Sequence, residues 1–408
     1  MKAKILVVGG GIGGLVAAYR LLQKKYAVTL VEKNSELGGL LGAFKIGGTY
    51  LEKSYHHIFK TDKYIIELIK ELGLEKKLKW HEAKTAIYYK KKIYPFAGAI
   101  DLLKFEPLNL IDKLRLGFVK IYLEKENNWK KFENVLAYEW MKKWCGNNAY
   151  KVIWEPLLRG KFGKEYKKVS MAWMWARIHT RANSSEKGKE YLGYLDGGFQ
   201  QIIDELKRRI LKLGGKIELN TNLPPRELGT SLEEGRLKDF NRIISSAPLE
   251  KVDYLGAVTM VFTSKQNLSR YYWHNINDDK SPFLALIQHT NLEDKKKYGN
   301  KHVYYLGTYL PHNHRYFKFG DKIVEKEFFS YLKKILPNFN EEKVLKKWVF
   351  KFKYAQHVVD VGYRRRIEKY RHGKGKIIYM NFAQIYPEDR GINYAVREGE
   401  RVSKLFEN

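Results

Sequence analysis

Residues Lys2–Glu32, KAKILVVGGGIGGLVAAYRLLQKKYAVTLVE, spell one complete strand–turn–helix–strand unit. Lys2 to Val8 is a short apolar run with β-branched residues at its end, as a buried strand requires. Gly9, Gly11 and Gly14 follow in the spacing G-x-G-x-x-G. Leu15 to Lys24 reads as a helix with Leu15, Ala18 and Leu22 on one face, and Ala27 to Val31 as a second strand. The glycines have separate duties. Gly9 allows the tight turn, Gly11 lets a pyrophosphate approach the backbone, and Gly14 lets helix and strand pack closely. The helix start, through Ile12 and Gly13, offers unpaired N–H groups and a positive dipole end to phosphates. Glu32 lies 18 residues beyond Gly14, where a carboxylate accepts from ribose hydroxyls and repels a 2′-phosphate. The expected ligand is an adenine dinucleotide other than NADP.

Gly38-Gly39 comes six residues after Glu32, in NSELGGLLGAF, and places backbone amides near the middle of an extended dinucleotide. Lys33 and Leu40 flank the same contact set. This second glycine pair resembles the large FAD family of amine oxidases, phytoene desaturases, protoporphyrinogen oxidases and UDP-galactopyranose mutase. Three later stretches keep that family's order. Leu192–Phe199, LGYLDGGF, precedes an amphipathic helix from Ile202 to Leu213 and a strand from Lys216 to Leu219. In the family the residues after that strand touch adenine through backbone groups, which maps to Asn222 and Leu223. Phe240–Pro248, FNRIISSAP, resembles the buried strand that ends beneath the pyrophosphate, and Ala247 carries that contact. Tyr386–Ala395, YPEDRGINYA, runs into a helix ending near Phe406. There the resemblance implies that Asp389 holds the ribityl or phosphate part and that the helix start, with Asn393, points at the flavin pyrimidine ring. A positive helix end suits the negative charge of reduced flavin.

The resemblance implies an α/β fold. A discontinuous Rossmann-like FAD-binding domain of GR2 type (1–60, 188–255 and 345–408) would carry an inserted α+β substrate or cap domain (61–187 and 256–344). Within the cap, helices are expected over Lys63 to Leu72, Leu108 to Glu126 and Phe132 to Cys145. Strands are expected over Ala257 to Thr263, Phe283 to His289 and His302 to Leu310, and after them Ile377 to Phe382. Pro224 to Lys238 reads as a loop or hairpin, and Gly373-Lys374-Gly375-Lys376 as a turn. Four motifs most resemble the protoporphyrinogen-oxidase-like group of prokaryotic oxidoreductases: YHHIF at Tyr55–Phe59, WEPLL at Trp154–Leu158, QHTN at Gln288–Asn291 and YPEDRG at Tyr386–Gly391.

The 408 residues suffice for two or three folding units. A hydrophobic share of 44% supports sizeable cores and excludes a disordered chain. Cys145 is the one cysteine, so an internal disulfide, a Cys-rich zinc site and a Cys-ligated cluster are excluded. The apolar run Ile5 to Val8 is too short for a secretory signal, and no uncharged stretch of about 18 residues occurs. A cytoplasmic location is therefore expected. The net charge of +31 is compatible with nucleic acid, an anionic membrane surface or an acidic substrate, against a plain background of solvated lysines. No Arg/Gly repeat or zinc-finger spacing supports nucleic acid. Leu108 to Leu123 reads as a basic amphipathic helix, suited to packing in the cap or to lying on a membrane.

Flavin carries the hard chemistry itself, so no catalytic triad is expected and none is visible. His56 and His57 sit where the family's chain passes the flavin edge and are the candidate catalytic pair. Adjacent strand residues point opposite ways, so at most one faces the ring. Tyr272, Trp273, His289 and Asn291 are the candidate substrate wall, with Arg177 beside Trp173 and Trp175. No metal site is expected; His312 and His314 have strand spacing. No second G-x-G-x-x-G marks a nicotinamide domain, which leaves oxygen, a quinone or a protein carrier as electron acceptor. The expected function is oxidation or desaturation of an apolar or cyclic small molecule by hydride transfer to flavin N5. The alternative is a mutase-like, non-redox flavoenzyme acting on a nucleotide sugar, for which Arg159, Arg177, Arg181 and Arg364-Arg365-Arg366 are candidate diphosphate ligands.

Overall fold

The computed structural model describes residues 3–186, 188–223, 235–368 and 376–406. Most of the expected Pro224–Lys238 loop and the Gly373–Gly375 turn lie outside the described residues. A five-stranded sheet gathers strands from the beginning, middle and end of the chain. Its order is Lys216–Glu218, Ala27–Val31, Lys4–Val8, Arg242–Ser245 and Ile377–Tyr379, and every pairing is parallel. Such a strand is covered on both faces, which is why KILVV is nearly all apolar and Ile5, Leu6 and Val7 are fully buried. The glycine-turn helix, Ile12–Gln23, packs against Gln200–Lys212 and against the carboxy-terminal helix, Ile392–Lys404. That last contact is made through small residues: a Cβ on Gly399 would lie 2.7 Å from the Gly13 carbonyl.

A second sheet has seven strands, in the order Val344–His357, Tyr254–Ser264, His302–Leu310, Ala285–Gln288, Trp273–Ile276, Thr85–Tyr89 and Lys92–Pro95. Only the Trp273–Ile276 and Thr85–Tyr89 pair is parallel. Helix Asp321–Ile335 packs its Phe328, Phe329 and Leu332 on Phe262 and Tyr304 of this sheet. The helices Leu110–Lys125, Ala137–Cys145, Glu155–Phe162 and Met171–Asn183 form a separate core around Met141, Phe162 and Trp173. Cys145 is buried in it, and burial pushes its thiol up to about 12.

One expected boundary moves. Residues 345–357 are expected with the dinucleotide-binding part, but Val344–His357 pairs along Tyr254–Ser264 at an edge of the seven-stranded sheet. The reason is legible in its pattern: FKFKY, Phe350–Tyr354, alternates apolar and lysine positions, as a half-solvated antiparallel edge does. The expected helix over Phe132–Cys145 is also shorter, beginning at Ala137 after a separate turn at Trp129–Phe132. Among the described residues no helix is long and apolar enough to cross a membrane.

Leu110–Lys125 buries Leu116, Val119 and Leu123, as cap packing requires. Its other side leaves Leu110, Ile111, Leu114, Phe118 and Ile121 exposed, next to exposed Ile100 and Leu103 of the preceding helix Ala99–Lys104.

Glu52 joins the two layers. It ends the hairpin Ala43–Ile46/Thr49–Glu52 and is fully buried. Its carboxyl accepts from Tyr194 Oη at 2.6 Å and from the Phe199 N–H at 2.7 Å. Gly198 makes this approach possible: a Cβ there would lie 2.9 Å from the Tyr50 carbonyl. The DGGF turn therefore fastens the hairpin to helix Gln200–Lys212. Burial pushes the Glu52 carboxyl from 4.5 up to about 7, against both hydrogen bonds. A raised carboxyl stabilises the fold below its unfolded value and loses that contribution as pH rises through about 7, on the order of 3 kcal/mol in all. The melting temperature of the wild type is expected to fall relative to that of Glu52→Gln between pH 5 and pH 8. A difference that stays constant across this range would show that the carboxyl does not titrate there.

Candidate active site

A single cavity of about 1400 Å³ runs from the carboxyl ends of the parallel strands to the seven-stranded sheet. Ligand pockets for one small molecule span roughly 300–1,000 Å³, so this one has room for more than a single compact ligand. The crevice lies where the chain leaves Lys4–Val8 for one neighbour and Arg242–Ser245 flanks the other side, the switch point of such sheets.

At the crevice end the three glycines behave differently. A Cβ on Gly9 would lie 1.9 Å from Ser246 Oγ, and one on Gly14 2.0 Å from the Gly9 carbonyl. A Cβ on Gly11 would meet nothing within 4 Å. Gly9 and Gly14 are thus required by the protein's own packing, whereas the space before Gly11 is open to a ligand. Glu32 is buried and accepts from the Gly10 N–H at 2.7 Å and from Asn34 Nδ2 at 2.6 Å. It shapes the turn as well as facing the cavity. Ser246 Oγ donates to the Val8 carbonyl at 2.8 Å, and Asn381 Nδ2 donates to the Ser246 and Ala247 carbonyls, holding the SSAP turn against the glycine turn.

All the expected cofactor positions line this cavity: Gly9, Gly11, Ile12, Gly13, Gly14, Glu32, Lys33, Gly38, Gly39, Leu40, Leu223, Ala247, Asp389 and Asn393, and Asn222 as well. Two side chains have other engagements. Asn393 Oδ1 accepts from the Ile65 N–H at 3.2 Å and so anchors helix Lys63–Glu71. Asp389, expected to hold the ribityl or phosphate part, accepts from Lys161 Nζ at 2.6 Å, Arg177 Nη1 at 2.9 Å and Trp173 Nε1 at 3.3 Å. Buried Lys161 and half-buried Arg177 need a counter-charge, and Asp389 supplies it.

At the cap end the walls are Tyr55, His56, His57, Trp273, Asn275, Tyr309, Phe350 and Phe352. His56 Nδ1 donates to the Ser54 carbonyl at 2.7 Å, which leaves Nε2 as an acceptor. His57 Nδ1 is 3.4 Å from Tyr272 Oη. Burial lowers His56 to about 4 and His57 to about 3, so both are neutral at physiological pH. They can orient and accept hydrogen bonds but do not shuttle protons near neutrality.

Three expected wall residues fall outside the cavity. Tyr272 is buried behind His57. His289 shares a hydrogen bond with Tyr298 Oη at 2.7 Å. Asn291 Nδ2 donates to the Ser269 and Tyr271 carbonyls, bracing the turn after strand Ala285–Gln288. Strand alternation sends Trp273 to the cavity and its neighbour Tyr272 away from it. Arg177 does line the cavity, as does Arg181, whereas Arg159 pairs with Glu155 and Arg364 with Glu133 and Glu368 elsewhere. Lys161, Tyr309 and Arg390 also line the cavity and are not among the residues the sequence singles out. Tyr309 was legible as an alternating position of the strand His302–Leu310; a buried lysine such as Lys161 has no sequence signal.

The profile of the flavin containing amine oxidoreductases matches residues 12–277. The chain belongs to that family. FAD is therefore its cofactor, and the fold is the family's Rossmann-like FAD-binding part with a cap. Among curated relatives, the "Probable flavin-containing monoamine oxidase A" of Dictyostelium discoideum is 25% identical over 251 residues, 58% of this chain and 54% of that one. The coproporphyrinogen III oxidase of Mycobacterium leprae (strain TN) is 26% identical over 225 residues, 50% of each chain. The chain thus spans about half the length of the curated relatives it matches. A solved structure from Exiguobacterium sp. 255-15, described as a "Putative protoporphyrinogen oxidase", superposes with a TM-score of 0.78 at 18% identity. It covers 99% of this chain and 98% of its own. That likeness concerns the fold.

Gly11 and Gly14 separate the cofactor's space from the protein's own. Gly11 has φ −69°, which alanine adopts freely. Gly11→Ala is expected to keep the melting temperature of the flavin-free protein while weakening FAD retention at least tenfold by fluorescence titration. Gly14→Ala, forced against Gly9, is expected to destabilise the flavin-free protein itself by about 1–3 kcal/mol. Unaltered FAD retention in Gly11→Ala would show that no phosphate approaches there.

Proposed function

We propose that the chain is an FAD-dependent oxidoreductase that takes a hydride from a cyclic or extended apolar substrate seated at the cap end of the cavity. The observation that carries this reading is the continuity of the cavity: the dinucleotide crevice and an aromatic-walled chamber are one space. Bound flavin supplies the hydride acceptor, N5. The chain's own residues bind, orient and exclude water. The first-turn amides from Ile12 and the open face of Gly11 would take the diphosphate. The start of helix Ile392–Lys404 would place its positive end at the ring. Trp273, Tyr55, Phe350 and Phe352 offer flat apolar surface to a substrate. His56 Nε2, neutral and available as an acceptor, is suited to hold a substrate or flavin N–H without changing charge. The family relative that acts on coproporphyrinogen III makes a cyclic tetrapyrrole one concrete candidate.

The rival reading, a non-redox flavoenzyme for a nucleotide sugar, has the cavity cations Lys161, Arg177 and Arg181 in its favour. Anaerobic mixing separates the two. Under the oxidoreductase reading, coproporphyrinogen or an isoprenoid such as phytoene bleaches the visible flavin band without added reductant. If neither bleaches it, and UDP-galactose binds the dithionite-reduced protein more tightly than the oxidised protein, the rival holds.

The reading includes a seat at an anionic membrane surface. The exposed residues Leu110, Ile111, Leu114 and Phe118 form an apolar strip with Ile100 and Leu103, rimmed by exposed Lys104, Lys142 and Lys143. Apolar insertion plus cationic attraction is the chemistry of interfacial helices. Co-sedimentation is expected with vesicles containing phosphatidylserine, decreasing with salt and with loss of the anionic lipid. The double variant Leu114→Ser/Phe118→Ser should remove it without changing flavin content. Equal sedimentation of wild type and variant would remove the strip from this role.

A further inference from the structure

We propose that the cap end of the cavity binds an anionic group of the substrate, a carboxylate or a phosphate, through Lys161, Arg177 and Arg390, and that it excludes ammonium substrates. This rests on the reading of the chamber as the substrate site, and it narrows the substrate class. Lys161 is 8% exposed, from helix Glu155–Phe162. Arg177 comes from helix Met171–Asn183, and Arg390 from the turn before the carboxy-terminal helix. The three are held around one carboxylate, Asp389, which bonds directly to Lys161 at 2.6 Å and to Arg177 at 2.9 Å. Arg390 Nη2 donates to Tyr309 Oη at 2.7 Å. The other acid of this turn, Glu388, is taken by Arg397 at 2.7 Å. Arg181 adds a fourth cation, 4.0 Å from Glu190. Three cations against Asp389 leave two positive charges in the cluster itself.

The surroundings register this excess. Burial holds Lys161 and Arg177 below their ordinary values despite Asp389. Asp389 stays well below the usual carboxylate range although burial opposes it, because of Lys161, Arg177 and Arg390. The Tyr309 phenol is drawn below its ordinary value by Arg390 and Lys161, although loss of solvent opposes it. Unmatched buried charge costs several kcal/mol per ion, and an anion entering the chamber would offset that cost with charge-assisted hydrogen bonds. A protonated amine would add to the excess.

Calorimetric titration of the flavin-loaded protein tests this with four probes: coproporphyrin III, UDP-galactose, inorganic phosphate and benzylamine. Binding is expected for coproporphyrin III or UDP-galactose, with competition by millimolar phosphate and weakening at higher salt. The tighter of the two tells whether the source is carboxylate or diphosphate. Arg177→Gln should weaken that ligand about tenfold or more and Arg177→Lys less; should Arg177→Gln not fold, Arg390→Gln takes its place. Benzylamine should give no saturable heat. Flavin-loaded protein indifferent to both large anions, or one that prefers benzylamine, overturns the proposal. So does an Arg177→Gln protein whose flavin midpoint potential moves while its anion affinity stays within twofold, since the cluster would then serve the flavin. A chain that takes up no flavin at all overturns the oxidoreductase reading along with this one.

Discussion

There is no room for a methyl group between Gly9 and Ser246, nor between Gly14 and the Gly9 carbonyl. These contacts set the distance at which the amino-terminal turn, the SSAP turn and the glycine-turn helix meet. Glu32 reinforces the arrangement by accepting from Gly10 and Asn34 across the turn, and Ser246 by donating to Val8. Gly13 and Gly399 repeat the device one layer out, bringing the carboxy-terminal helix onto the first one. The crevice is what remains when backbone packs this closely around a single open glycine, Gly11. The cap can vary around it, because the crevice depends on backbone contacts and not on the chamber's side chains.

Much of this was legible in the order of residues. The glycine spacing, the two flanking strands and the acid at Glu32 specify a local unit whose parts are all within about thirty residues, so local pattern and tertiary position agree. The later FAD segments could be placed because they keep the order of the family they resemble, and in the structure each joins the sheet in parallel. Legibility ends where partners are distant and the pattern is shared by other structures. Val344–His357 is a strand by any reading, but its alternation says only that one side is wetter, not which sheet it joins. Tyr272 and Trp273 are adjacent aromatics, and which of them faces the chamber follows from the pairing of Trp273 with Thr85 and Ile287, nearly two hundred residues and fourteen residues away respectively. Asp389 is placed at the cofactor by resemblance alone, and its partners Lys161 and Arg177 come from separate helices more than two hundred residues earlier, which no local pattern shows.

The two ends of the cavity differ in electrostatic design. At the crevice the positive character comes from the first turns of two helices, which are neutral overall and keep their direction whatever the pH. At the chamber it comes from full charges on Lys161, Arg177 and Arg390, partly matched by Asp389. The two histidines of the chamber wall add nothing to that charge, because burial lowers both.

The parallel sheet also has a temporal side. Lys4–Val8 is its middle strand, but the neighbour on one side is Arg242–Ser245 and the edge beyond that is Ile377–Tyr379. A ribosome emits these segments in sequence, so the amino-terminal strand waits half-covered while several hundred residues are made. Loop closure over such separations is slow, and exposed parallel edges are sticky. The hairpin Ala43–Glu52, fastened through Glu52 to Tyr194 and Phe199, closes a shorter circuit. The crevice is complete only when the segment carrying Met380, Asn381, Asn393 and Ala395 has docked, because those residues line it.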